Sequence, residues 1–453
     1  MRIVIKKGLN LPLLGKPEGD LQPLPSPRQI ALNLEPFEEI RFKVHVKVGD
    51  TVKIGQPLVE SKAASGQMFA SPAGGVVAEV RRGLKRRLLD IVIDLADQEE
   101  FHEHKGLNLS QASQEETIQY LLQSGVFPHM RMRPFDMVAN PKYLPRDIFV
   151  RAIETLPFVP SAEMQVKGNE DFFQIGLTTL TKLTSGKVHL VYDEGSSSKA
   201  FTGAQGVEKH TIVGPHPAGT HSVHIHHISP IRSPKDYVWT TSALDVLIIG
   251  KMVASGRYFT DRIISIAGNG ILEGKRGFFK GRMGYPIVEL IANRISNQLL
   301  TLISGDPLTG VKSEAQDFLS FYHTAFSVIP ENTKRQPFHF FRPGFNKYSA
   351  TRTYFTGHIK PPKEGYPFTT NMHGEERAFI DGAIYDKIMP MRIPTMHLLK
   401  AIEAEDFEVA QQLGLLEVAS EDFALATFIS PSKIEMMEIV KQGLHTYSKE
   451  MGH

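Results

Sequence analysis

The segment His45–Leu58, HVKVGDTVKIGQPL, with its continuation Ala70–Val77, ASPAGGVV, decides how the first part of this chain folds. Valine alternates with charged or polar residues up to Gly49, the period-two mark of a half-buried strand. Gly49-Asp50 and Gly55 mark tight turns, and Ser71-Pro72-Ala73-Gly74-Gly75 makes the return. Further short strands, punctuated by glycine and proline, run through LDIVIDL. The spacing predicts a small all-β unit ending near Asp97.

That pattern resembles the barrel-sandwich hybrid fold of lipoyl and biotin carrier domains. Between its halves stands Glu60-Ser61-Lys62-Ala63, where a carrier holds its modified lysine. Serine occupies the place of the carriers' aspartate or methionine, and ASGQMFA does not mirror the preceding strand. Lys62 therefore reads as a solvated loop residue, with a carrier modified at Lys62 as the alternative.

On the N-terminal side, residues 1–35 are rich in proline and leucine and read as an irregular lead-in, so the first unit spans 1–98. On the C-terminal side, polar residues 101–112 form a linker. A helix follows in SQEETIQYLLQSG: Ser113 suits the N-cap, Glu116 the capping-box position and Gly125 the position after the C-cap. DIFVRAI, KVHLVY and DVLIIG read as strands among helical stretches, an α/β pattern over 99–258. Residues 259–312 give strand, helix and strand, a small β-grasp-like unit. Residues 313–453 begin mixed and end in helices, notably TMHLLKAIEAEDFEVAQQLG and SKIEMMEIVKQGLHTYSKE. The fold class is thus α+β and multidomain, at a length of 453 residues that suits three or four domains.

Composition excludes several kinds of chemistry. With no cysteine, the chain offers no disulfide, iron–sulfur ligand, thiolate zinc site or cysteine nucleophile. A net charge of +2 implies no nucleic-acid partner. The N-terminus carries no secretory signal. The most apolar run, Ala243–Ala254, is too short for a membrane span and contains Asp245 and Lys251, so membrane contact is expected only via partners.

Three motifs invite chemistry. GPHPAGTHSVHIHHISP holds His216, His221, His224, His226 and His227, but no carboxylate interrupts the run, and catalytic zinc wants one nearby. It reads as a turn followed by a packed strand. Gly268, Gly270 and Gly274 fail the dinucleotide fingerprint, because the third glycine is one position late and no helix opens; this stretch and the following RGFFKGRMG read as turns. RRGLKRR, residues 81–87, sets five cations in seven residues, either a solvated turn or a contact for an acidic partner or anionic lipid.

Seven segments, IKKGLNLPLLG, HVKVGDTVKIGQPL, FASPAGGVVAEVRRGLKRRL, GVFPHMRMRPFDMV, GPHPAG, LISGDPLTG and TFISPSK, run in order along nearly the whole chain. Together they resemble the NqrA family, the A subunits of the sodium-translocating NADH:quinone reductase. The resemblance implies a six-subunit complex of the bacterial inner membrane that passes electrons from NADH to ubiquinone and exports sodium. A chain of this family would lie peripherally on the cytoplasmic face, docked on the membrane-embedded B subunit and grouped with the other four, C to F. The resemblance further implies kinship with the flavin-bearing NADH subunit of complex I and with its β-grasp (SLBB-like) domain. Where that relative has a glycine-rich loop, this chain reads Ser124-Gly125-Val126-Phe127-Pro128-His129-Met130-Arg131-Met132-Arg133-Pro134-Phe135. Only the first glycine remains, so the expectation is a degenerate α/β domain with no FMN and no Fe-S centre, its pocket filled by residues 126–135. Neither a metal nor a self-sufficient active site is expected.

The segment Phe127–Phe135 also mixes what a quinone site needs, apolar walls with a few donors. Phe127, Met130, Met132 and Phe135 would supply surface. His129, Arg131 and Arg133 would supply donors and positive charge. With Phe37 from the lead-in side, these residues are the candidates nearest to quinone. A purely structural scaffold is the competing reading.

Overall fold

The structure, a computed structural model, describes residues 1–452 apart from 333–337, 339, 340, 346 and 380. Four sheets organise it. Two of them make the barrel-sandwich: Gln29–Asn33, Leu88–Leu95, Gly75–Arg82 and Thr51–Val52 face Phe42–Val44, Pro57–Ser61 and Met68–Ala70. Their inward residues, among them Ile30, Leu58, Phe69 and Ile91, are wholly buried, as the alternating pattern requires.

The third sheet has seven strands in the order Arg2–Val4, Glu208–Val213, Val188–Asp193, Asp147–Ala152, Val238–Ser242, Arg131–Arg133 and Met137–Val138. The first five are parallel and the last two antiparallel. The fourth sheet has six strands: Val311–Ser313, Leu300–Ser304, Ala325–Pro330, Asp261–Ala267, Gly277–Arg282 and Gln22–Pro23. It carries the short helix Ile287–Ile291. The C-terminal region is helical, with Thr395–Glu403, Phe407–Gln412 and Met436–Glu450 packed around Leu398, Phe423 and Val440.

The structure corrects four local readings. The lead-in is not irregular: its strands are stitched into the parallel sheet, the six-stranded sheet and the barrel-sandwich in turn. DVLIIG is helical, inside Ala243–Ser255. A short apolar run looks the same in a buried strand and a buried helix, and what decides here is capping. Ser242 and Asp245 close a reciprocal capping box, and Gly256 ends the helix in the left-handed region. The histidine run is likewise a helix, His221–Ile228, not a strand. Finally, the glycine-rich RGFFKGRMG contributes a true strand, Gly277–Arg282, along Asp261–Ala267. The predicted helix after Ser113 is present with both capping-box bonds, and Gly125 follows it with φ +75.

Candidate functional site

The parallel sheet prepares a site by its topology. From Asp147–Ala152 the chain moves outward to Val188–Asp193 and Glu208–Val213, then returns to place Val238–Ser242 on the other side. Crevices at the carboxyl ends of strands, where the winding reverses, are where open α/β sheets bind ligands. A cavity of about 320 Å³ lies at this point. Arg151, Ile153 and Glu154 reach it from the end of one strand, and Thr240 to Leu244 from the other. Arg131 and Arg133 enter from the antiparallel neighbour, Asp306, Tyr322 and His323 from the six-stranded sheet's loops, and Glu421 and Met437 from the C-terminal region.

Alternation sorts the segment 127–135. On Arg131–Arg133 the two arginines share one face and Met132 takes the other. Met132, Met130 and Phe127 are wholly buried in the core, with Phe127 edge-on to Trp239 at 5.4 Å. Phe135 turns to the C-terminal region and meets Tyr447 at 5.8 Å. The side chains of 126–135 therefore do not fill the pocket: His129, Arg131 and Arg133 line a space that stays open.

Both nitrogens of His129 are already engaged. Nδ1 donates to the Asp245 carboxylate at 2.7 Å, and Nε2 accepts from the Tyr258 hydroxyl at 2.9 Å. Burial, against the pull of Asp245, holds this imidazole below its usual range and so neutral.

The arginines keep donors to spare. Arg131 Nε donates to Asp136 Oδ1 at 3.1 Å and stacks its guanidinium 5.7 Å from the Tyr322 ring centroid. Burial would favour neutral Arg131, but Asp136 prevails and raises its proton affinity. Arg133 Nη1 donates to Ser222 Oγ at 3.2 Å, while Asp136 and Glu421 stand off at 3.5 and 3.7 Å. Arg151 pairs with Glu154 and Glu421 at 3.7 and 3.9 Å. Such ion pairs are too long to consume the N–H donors. Phe135 and Asp136 both have positive φ, 82° and 50°, which is unusual for side chains of this kind and brings the Asp136 carboxylate back under both guanidiniums.

Tyr322 ties the candidates together. Its hydroxyl donates to the Pro128 carbonyl at 2.7 Å, and its ring lies 5.7 Å from Phe37. Phe37 is itself buried, edge-on to Phe69 and Phe321, one ring behind the cavity wall.

Residues 3–96 match the family model of the NqrA N-terminal barrel-sandwich hybrid domain, and residues 112–258 that of the NqrA second alpha/beta domain. The A subunit of the Na(+)-translocating NADH-quinone reductase of Chlamydia caviae is 38% identical across all of this chain and 98% of its own length. This chain belongs to the NqrA family. The corresponding subunit of Tolumonas auensis is 37% identical over 98% of each chain. A crystal structure of an NAD+-reducing [NiFe]-hydrogenase aligns with TM-score 0.35 at 10% identity, over 77% of this chain and 71% of that one, too slight a likeness to argue from. Membership makes the chain part of an oxidoreductase complex that translocates sodium, and among the described residues no helix is long and apolar enough to cross a membrane.

The five histidines of the 216–227 run go separate ways. His216 Nδ1 meets Thr155, His221 the Thr241 carbonyl, His224 the Ala218 carbonyl, His226 Glu417, and His227 the Val223 carbonyl. Arg151, Glu154, Asp306, Tyr322 and Glu421 are cavity residues that the sequence reading missed. One signal was available: Arg151 is the single charged residue after Asp147 in an otherwise apolar strand, and a charge there needs a partner or a purpose.

Proposed function

We propose that the cavity at the sheet's switch point receives the head group of ubiquinone, and that this chain serves quinone reduction within the assembled Na+-translocating complex. The observation that carries this reading is the pairing of guanidinium donors with an apolar wall. Arg131, Arg133 and Arg151 line the same cavity as Ile153, Leu156, Val159 and Leu244. Guanidinium N–H groups can hold a quinone carbonyl and stabilise negative charge as it develops during reduction. Of the candidates, Arg131 and Arg133 then act as donors, while Phe37, Phe127, Met130 and Phe135 shape the walls from behind.

In the same reading the chain sits on the cytoplasmic face of the bacterial inner membrane, docked chiefly on the membrane-embedded B subunit, with the electron carriers on the other five members of the complex, B to F. It holds no flavin, iron–sulfur centre or metal of its own. Gly125, the one glycine kept, is taken up by packing: its Cβ position lies 2.9 Å from the Ala70 backbone nitrogen.

The test is Arg131→Met and Arg133→Met in the assembled complex, with quinone reduction and NADH oxidation by an artificial acceptor measured separately. Loss of one charge-assisted hydrogen bond, about 1.5–3 kcal/mol, predicts a quinone KM raised roughly tenfold or more with acceptor activity unchanged. Normal quinone kinetics in an intact complex would leave the chain a scaffold.

A further inference from the structure

The hairpin Gly75–Arg82 to Leu88–Leu95 ends in a turn whose cations divide into two sets. The inner set fastens the hairpin to the body. Arg81 binds Glu79 at 2.8 Å and the Gln316 carbonyl at 3.0 Å, and lies 5.2 Å from the Phe318 ring centroid. Arg87 reaches Glu38 at 3.6 Å and the Glu35 carbonyl. The outer set, Arg82, Lys85 and Arg86, is exposed and makes no ion pair among the described residues. Arg82 donates only to the Arg86 carbonyl, at 3.2 Å.

At the apex stands Leu84, 92% exposed. Lys85 and Arg86 follow with φ of 54° and 59°. Two successive side-chain-bearing residues in the left-handed region are costly where glycine would be relaxed. Strain of this kind is retained where the side chains have work to do.

The geometry points to this turn as a contact with an anionic phospholipid surface, the outer cations lying among headgroups and Leu84 entering the interface. Size decides between lipid and an acidic protein. A stable protein interface covers about 800 Å² per partner, far beyond three cations and one leucine. A charged bilayer asks only for local positive charge and a small apolar insert. The contact is independent of the quinone cavity and of its occupant.

The test uses the full chain, sedimented with phosphatidylcholine vesicles that contain or lack phosphatidylglycerol. The expected result is binding to anionic vesicles only, reversed by salt. The triple variant Arg82→Ser, Lys85→Gly, Arg86→Gly should lower the partition coefficient roughly a hundredfold, and Leu84→Ser about tenfold. Because the glycines relieve strain, the triple variant should unfold no earlier than the parent chain, which keeps the loss attributable to binding. Equal affinity for neutral and anionic vesicles, or unchanged binding by the triple variant, overturns the proposal. So does a chain that ignores vesicles but whose triple variant fails to join its partners in the complex, since the turn then reads protein.

Discussion

Arg131 and Arg133 share a face because they stand two residues apart on a strand, and a three-residue strand leaves almost no trace in sequence. The donors were legible as residue types, but their separation from Phe127, Met130 and Met132 was not, since periodicity needs more length than this to show. His129 illustrates the same limit: nothing local reveals that Asp245 and Tyr258 occupy both its nitrogens. Lys62 was easier, and it lies exposed on a loop between Pro57–Ser61 and Met68–Ala70. Lys62→Ala should change stability by no more than about 0.5 kcal/mol and leave quinone reduction intact. A lipoate- or biotin-sized increment in the intact mass, removed by this substitution, would restore the carrier reading. Gly125 is the opposite kind of residue. With φ +75 and a Cβ position 2.6 Å from Ala70 Cβ, Gly125→Ala should cost about 1–3 kcal/mol, read as a lower denaturant midpoint with an unchanged slope.

At the scale of elements, the misread segments share one cause. DVLIIG and the histidine run were judged by composition over six to eight residues, where a buried strand and a buried helix look alike. The capping residues around the first, Ser242, Asp245 and Gly256, were the better evidence. The helix Glu170–Thr181 packs on Ala243–Ser255 through glycines. A Cβ on Gly250 would sit 1.8 Å from the Phe172 carbonyl oxygen, and one on Gly176 2.1 Å from the Val246 carbonyl oxygen. Gly250→Ala must therefore push two helices apart. Although alanine is the better helix former by about 1 kcal/mol, the contact is with backbone, which cannot swing aside. The expected net loss is about 1–3 kcal/mol, visible as a reduced thermal midpoint. A gain in stability would mean that the helices cross less closely than this.

Across the whole molecule, the ordered segments pointed to the barrel-sandwich, the α/β sheet and the helical C-terminal region, while the cavity between them stayed hidden. It is assembled from residues more than 280 positions apart, Arg131 to Glu421 among them, and no local pattern encodes such a meeting. Burial on this scale also leaves a signature in pH dependence. Burial lowers the proton affinity of eight histidines, 104, 129, 210, 216, 221, 224, 227 and 323. His216 and His323 fall to about 4 and His224 to about 3. Burial raises four carboxyls: Asp90, Asp306 and Asp422 to about 6, and Glu35 in the same direction. The two groups oppose each other. Between about pH 6.5 and 4 the unfolded histidines take up protons that the folded ones refuse, so acid destabilises. Over much of the same window the folded carboxyls accept protons before the unfolded ones do, so acid stabilises. The histidines outnumber the carboxyls, though half-buried His104 and His227 count for less because solvent screens them. Each uncompensated histidine contributes roughly 1.4 kcal/mol per pH unit. The denaturant midpoint should therefore fall steadily from pH 7 to about pH 5. Calorimetric unfolding near pH 5.5, repeated in buffers of different ionisation enthalpy, should show net proton uptake by the unfolded chain. Proton release there, or a midpoint that rises on acidification, would mean that Asp90, Asp306 and Asp422 outweigh the histidines.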